Sequence, residues 1–322
     1  MKHHSSFLRA IFFILILCGA LGLTSCAVLT SSQVSEVKNF VQASEAYTEL
    51  PGALVQSYGI LLRDNELLKV SRYEFGKRDI GGTIDTAQAN EAWNDIKKAY
   101  ELEEELGAAG KRLDEALAVL KTYSMILSVL VSDEYTSALG ESTVKLGKSL
   151  DNSIESYNKK YRADNPLEKI GGLVGQVVRS AGGIYIRHRQ YIILRDTLQA
   201  ADPLIKNLMA EVKDIASNQI KPAIENYERN YLSKEFKSVA NNSGRLPVTV
   251  VLFVYEDLRR TRQAALLSDQ VAKAANTYAL AHEKLVEKTR KRQDLEQVID
   301  ELQALRKEVD EANKVKKNIK KS

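Results

Sequence analysis

Few residues in this chain have the type and spacing to do chemistry. Two cysteines occur, Cys18 inside an apolar run and Cys26 just after it. Cys26 sets a nucleophilic thiol directly behind Leu23, Thr24 and Ser25. If cleavage falls between the two cysteines, one remains and no internal disulfide can form. Of four histidines, only His188 and His282 lie beyond the apolar start. Neither has another histidine or a cysteine at metal-ligand spacing. Arg187 and Arg189 flank His188 and would repel a metal ion. Both histidines read as exposed polar side chains. The acidic run Glu101, Glu103, Glu104 and Glu105 reads as the solvated face of a helix, with Lys97, Lys98 and Lys111 available for pairing. A hydrolase built on two carboxylates needs an enclosing cleft, and no pattern marks one. Nucleophile-elbow, P-loop and HExxH motifs are absent. The expectation is a non-enzymatic protein with no metal and no dissociable cofactor.

The first 25 residues have three parts. Lys2 and Arg9 give a basic start, Ala10 to Leu17 is unbroken apolar, and Gly19, Ala20, Gly22, Thr24 and Ser25 are small. That order is a secretory signal peptide. Leu23-Thr24-Ser25-Cys26 resembles the bacterial lipobox, in which a branched apolar residue and two small ones precede an obligatory cysteine. The resemblance implies diacylglycerol on the Cys26 thiol, cleavage before Cys26 and acylation of the freed amine. Ala27 follows where some family members carry aspartate, which implies delivery to the outer membrane, facing the periplasm. Each buried methylene contributes about 0.8 kcal/mol, so two or three acyl chains hold where one is marginal. The competing reading is an uncleaved membrane helix, because no charge occurs from Ala10 to Ser35.

Composition limits the remaining chain. It is 44% hydrophobic and 27% charged, an ordinary globular balance. Removing Lys2 and Arg9 with the first 25 residues leaves 44 basic against 42 acidic side chains. Lys314, Lys316, Lys317, Lys320 and Lys321 hold much of the positive charge at one end. No nucleic-acid partner is expected, since such domains are strongly basic. Only 5 prolines occur, which favours long helices.

The organisation predicted is residues 1–25 signal peptide, 26–33 lipidated tether and 34–322 a single helical domain. Apolar residues recur at three-and-four spacing almost throughout. Leu50-Pro51-Gly52 predicts a break. Gly76 to Thr86 and Asn241 to Pro247 predict loops, and Asp164-Asn165-Pro166 a boundary. One helix is predicted from Ala87 to Arg162. Tyr191, Leu194, Leu198, Ala201, Ile205, Leu208, Val212 and Ile215 form a heptad seam. It meets polar Gln219, and the apolar residues move to Ile220 and Ile224. Pro203 lies inside it, so a kinked helix or a tight restart is expected. Val248 to Lys321 reads as one long segment whose seam shifts near Lys288. The fold class predicted is all-α: an elongated antiparallel bundle of about four long helices with coiled-coil character. Helices of roughly 60–75 residues would run about 90–110 Å.

Two stretches depart from that pattern. Ile170, Gly171, Gly172, Leu173, Gly175, Gly182 and Gly183 belong to a glycine-rich apolar segment over 170–186. It reads as a close helix crossing or hairpin, or as a tongue that contacts a membrane or partner. Its Gly171 and Gly175 form a GxxxG pair. Val248 to Tyr255 is strand-prone, yet inside a bundle it reads as a fully buried helix start. In architecture alone, long helices with a glycine-rich insert resemble α-helical pore-forming toxins, which implies a membrane-active alternative. A lipidated start, heptads and terminal lysines also resemble the small murein lipoprotein, although this chain ends in Ser322. The function expected is a membrane-anchored helical scaffold in the cell envelope. Its partners are the bilayer through Cys26 and a protein or envelope polymer.

Overall fold

The computed structural model describes residues 29–70, 87–132, 137–173, 185–243, 248–291 and 298–321. Every regular element among these residues is a helix, so the chain is all-α over what is described. The helices are α1 (Ser31–Tyr47), α2 (Leu50–Val70), α3 (Ala87–Leu130), α4 (Ser137–Tyr161) and α5 (Tyr185–Asp214). They continue with α6 (Lys221–Asn226), α7 (Ser233–Ser243), α8 (Val248–Arg290) and α9 (Ile299–Lys321). Two π-helical segments, Ile215–Ile220 and Tyr227–Leu232, join α5, α6 and α7 into one run.

The helix ends follow local chemistry. The Thr30 hydroxyl accepts from the Gln33 backbone N–H, and the Gln33 side chain accepts from the Thr30 N–H, each at 3.1 Å. This capping box starts α1 inside the stretch read as the lipidated tether. The break expected at Leu50-Pro51-Gly52 falls between α1 and α2. Pro51 sits in the first turn of α2, where its missing N–H costs nothing. Pro203 lies within α5, so the helix is continuous across it.

Two predicted long helices are each divided. The segment 87–162 becomes α3 and α4, and the segment 248–321 becomes α8 and α9. The break in the first falls after Leu130. In the second, the seam shift near Lys288 marks a reversal. The second apolar row, Val298, Leu302, Leu305, Val309 and Ala312, is buried as α9 folds back on α8. Periodicity persisted through both breaks because each half presents the same kind of stripe to a common core.

The seam of α5 is buried from Tyr191 to Val212. Beyond it, burial passes to Ala216, Ile220, Ile224, Tyr227 and Leu232. The last step is five residues, and it coincides with the second π segment. A π turn absorbs an extra residue and rotates the stripe back toward the core. Polar Gln219, inside the first π segment, is exposed.

Contact ladders fix the directions. Between α2 and α3, Arg63 meets Glu103 and Glu66 meets Lys98, so these helices are antiparallel. Between α5–α6 and α8, Asp202 meets His282, Ser268 donates to the Ala216 carbonyl, and Lys221 meets Asp269. That pair is antiparallel too. Phe40 on α1 packs on both Tyr278 and His282 of α8. One end of the molecule therefore carries Leu29, Leu130, Tyr185 and Arg290. The opposite end carries Val70, Ala87, Ser243 and Val248. The 43 residues of α8 span about 64 Å between them.

Past α4 the chain turns back on itself. Leu167 exchanges two hydrogen bonds with the Asn158 amide, both 2.7 Å. The Gly171 N–H donates to Asp151 at 2.7 Å. A β-carbon on Gly171 would lie 1.8 Å from the Gly147 carbonyl oxygen, backbone against backbone. Gly171→Val should therefore lift this segment from α4 and cost about 1–3 kcal/mol, as overpacking does. Urea unfolding of the two proteins checks it; equal midpoints would mean that the contact is dispensable.

Candidate functional site

The residues singled out by sequence have different fates. Leu23, Thr24, Ser25 and Cys26 lie outside the described residues. The first described residue, Leu29, is buried, three positions after Cys26. Ile170 and Gly171 are buried against α4, while Gly172 and Leu173 are exposed. Gly175, Gly182 and Gly183 lie outside the described residues. The glutamates at 101, 103, 104 and 105 are exposed, as expected of a solvated face. Glu103 pairs with Arg63 on α2 at 3.0 Å, a partner across helices rather than along its own. Lys316 pairs with Glu49 at 3.2 Å, which places the lysine-rich end on the flank of the molecule. Among the described residues, no group of His, Cys, Asp and Glu could hold a metal ion. None of the described helices is long and apolar enough to cross a membrane.

His282 departs from the sequence reading: it is fully buried. It sits on the inner face of α8, in contact with α1, α3 and α5. Tyr123 on α3 lies 2.7 Å from its Nε2, and Asp202 on α5 lies 3.4 Å from its Nδ1. A phenol donating to Nε2 and a carboxylate facing Nδ1 assign the neutral tautomer with the proton on Nδ1. Burial pushes the imidazole below its ordinary pKa of 6.5, and Asp202 partly opposes this. Asp202 is held below the ordinary carboxylate value, first by His282 and then by Lys206. One turn away, Ser124 donates to Ser44 at 2.6 Å, and the Ser44 hydroxyl lies 2.6 Å from the Tyr278 hydroxyl. Each group in these two chains, except Asp202, is fully enclosed. They fix the register of four helices.

Accessible chemistry lies at the end where α8 begins. Val248 to Tyr255 forms helix, not strand, but it is not buried as predicted. Val248 is 72%, Leu252 58% and Tyr255 61% exposed, with Val251 and Phe253 also outside the core. The hydrophobic stretch is apolar nearly all round, and the few helices at the bundle end cannot cover every side. The antiparallel ladder brings α2 and α3 to the same level. Arg260 of α8 pairs with Asp64 at 2.7 Å, Asp64 also takes Arg63, and Glu66 meets Lys98. Beyond that layer Trp93 is 62% exposed on α3, Tyr100, 63% exposed, lies within the layer on the same face, and Leu67 is exposed on α2. Three helices thus contribute to one apolar tip.

A polar floor lies beneath the tip. The Tyr227 hydroxyl donates to Asp257, which is buried and held above the ordinary carboxylate value by desolvation. Two grooves flank α8 there. One, about 530 Å³, is lined by Arg63, Leu67, Val250, Phe253 and Arg260. The other, about 650 Å³, is lined by Leu232, Phe236, Val254 and Leu258. A third groove, about 630 Å³, lies near the end of α4 at Tyr161 and is lined by Leu113, Leu117, Leu208 and Val212. What the tip can do chemically is present apolar and aromatic surface to a partner. Sequence reasoning missed it because eight uncharged residues read as core. The available signal was that no polar stripe oriented them.

Comparison of the chain with protein-family models, with curated protein sequences and with solved structures returned no match.

Proposed function

We propose that this is a cell-envelope lipoprotein, held by acyl chains on Cys26, that acts without catalysis as a helical binding scaffold. In this reading the chain is exported, cleaved before Cys26 and delivered to the outer membrane, facing the periplasm. Its elongated antiparallel bundle, with coiled-coil seams along α5 and α8, provides reach. The observation that carries the reading is polarity along the long axis. Leu29, next to the lipobox, enters at one end, and the exposed apolar tip lies at the other. Confinement to a membrane raises the effective concentration of such a tip near its partner. The enclosed His282 chain supports a structural rather than a catalytic role for the buried polar groups.

Two measurements test this. Radiolabelled palmitate should enter the wild type and not Cys26→Ala; equal labelling removes the anchor. A photo-crosslinker at Leu252 in intact envelopes should capture a partner, whereas one at exposed Lys273, midway along α8, should not. Equal capture at both positions would leave the tip without a special role.

A further inference from the structure

We propose that the apolar tip inserts shallowly into the surface of a bilayer other than the one that holds Cys26, so that the protein bridges two membranes. This rests on the function proposed above and names the partner of the same tip.

The shape of the exposed surface favours lipid over a folded protein. Successive helical residues turn by 100°, so Val248, Val251, Leu252, Phe253 and Tyr255 cover an arc of roughly 200°. A helix that docks in a protein groove offers one stripe. An arc this wide needs a fluid apolar surrounding. Val248 to Tyr255 runs about 12 Å, close to the depth reached by interfacial helices and far short of a bilayer span. The exposed aromatics are of the interfacial kind. Trp93 and Tyr255 each join an apolar ring to a polar atom, the pairing enriched where hydrocarbon meets headgroups.

Charge is arranged to match. No Asp, Glu, Lys, Arg or His occurs from Val248 to Tyr255. Arg259 and Arg262 follow within two turns and keep 41% and 70% of their side chains exposed. Their partners, Glu256 and Glu228, form exposed pairs of little strength, which anionic phosphates can replace. Glu91 and Asp95 lie at the level of Trp93 but two residues away, about 200° round α3 from it, and the acidic run from Glu101 begins about 12 Å farther back. Distance excludes the anchoring leaflet from an upright molecule, because α8 separates the two ends by about 64 Å.

The chain contains a single tryptophan, Trp93, and it stands in the tip. Native lipidated protein is reconstituted into donor vesicles of phosphatidylethanolamine and phosphatidylglycerol, then mixed with acceptor vesicles of the same lipids. Brominated lipid placed in the acceptors alone should quench Trp93 and shift its emission to the blue, and the two vesicle populations should co-sediment. Leu252→Asp changes an exposed residue and should keep the helical circular dichroism. It should weaken quenching by more than about tenfold in acceptor concentration. Quenching only by brominated donors would mean that the molecule lies on its own membrane, and bridging is then wrong. No quenching from either side would also overturn it. Capture of a protein by the Leu252 crosslinker in that case would keep the scaffold function and replace the bilayer as partner. Protein that fails to enter donor vesicles contradicts the anchor instead. Its Trp93 response to brominated acceptors still reads the tip.

Discussion

Tyr278→Ala is expected to lower unfolding free energy by about 3–5 kcal/mol, the range for removing a large buried aromatic. Tyr278 lies on the inner face of α8 and is fully buried. Its ring stands 5.0 Å from Phe40 at 60° and 5.6 Å from Tyr47, both on α1. Its hydroxyl closes the chain through Ser44 to Ser124 on α3. Truncation leaves a cavity between three helices and strands two serine hydroxyls without their third member. Tyr278→Phe keeps the ring and should cost only about 0.5–1.5 kcal/mol, the net worth of one hydrogen bond. Chemical denaturation followed by circular dichroism separates the two. If both variants lose the same amount, the loss comes from the hydroxyl and the packing argument is wrong.

The second large effect is on acid stability, and its source is His282. Its folded-state pKa lies below 6.5, because burial penalises the imidazolium. The unfolded chain takes up this proton near 6.5, while the folded chain resists it. Stability is therefore complete above about pH 6.5 and declines as pH falls from there toward the folded value, by up to about 1.4 kcal/mol per pH unit. The groups facing the ring do not reverse this. Tyr123 on α3 is neutral, with its own pKa raised by burial. Asp202 on α5 and Glu283 on α8 favour the charged ring, Lys206 on α5 opposes it, and Phe40 on α1 carries no charge. Asp202, depressed below 3.8, adds a further loss only as pH falls below that value. His282→Gln keeps a donor and an acceptor and removes the titration. Its stability between about pH 7 and pH 5 should fall less steeply than that of the wild type. Parallel slopes in the two proteins would assign the acid sensitivity elsewhere.

The two histidines show how far sequence could go. A lone His282 with no ligand-spaced neighbour excluded a local metal motif, and that reasoning stands on sequence spacing alone. Whether it was exposed depended on which side of α8 met α1, α3 and α5. His282 lies one residue beyond Ala281 and four beyond Tyr278, so it borders the predicted seam. A wider buried stripe on a helix contacted by three neighbours encloses such a border position, and a seam two residues wide does not. The same effect hid the tip. Val248 to Tyr255 has the composition of a core, and only its position beyond the last full layer of helices leaves it in solvent.

The amino-acid order by itself determined the helical class and the break beside Leu50-Pro51-Gly52. These depend on neighbours within a few positions, through backbone hydrogen bonding and the 3.6-residue period. Tertiary structure decided the reversals between α3 and α4 and between α8 and α9, the burial of the His282 and Tyr278 chains, and the gathering of Trp93, Leu67 and Leu252 at one end. Those features join residues far apart in sequence. A helical stripe states that a face must be covered, but only the packed arrangement of all the helices states by what, and where the cover runs out.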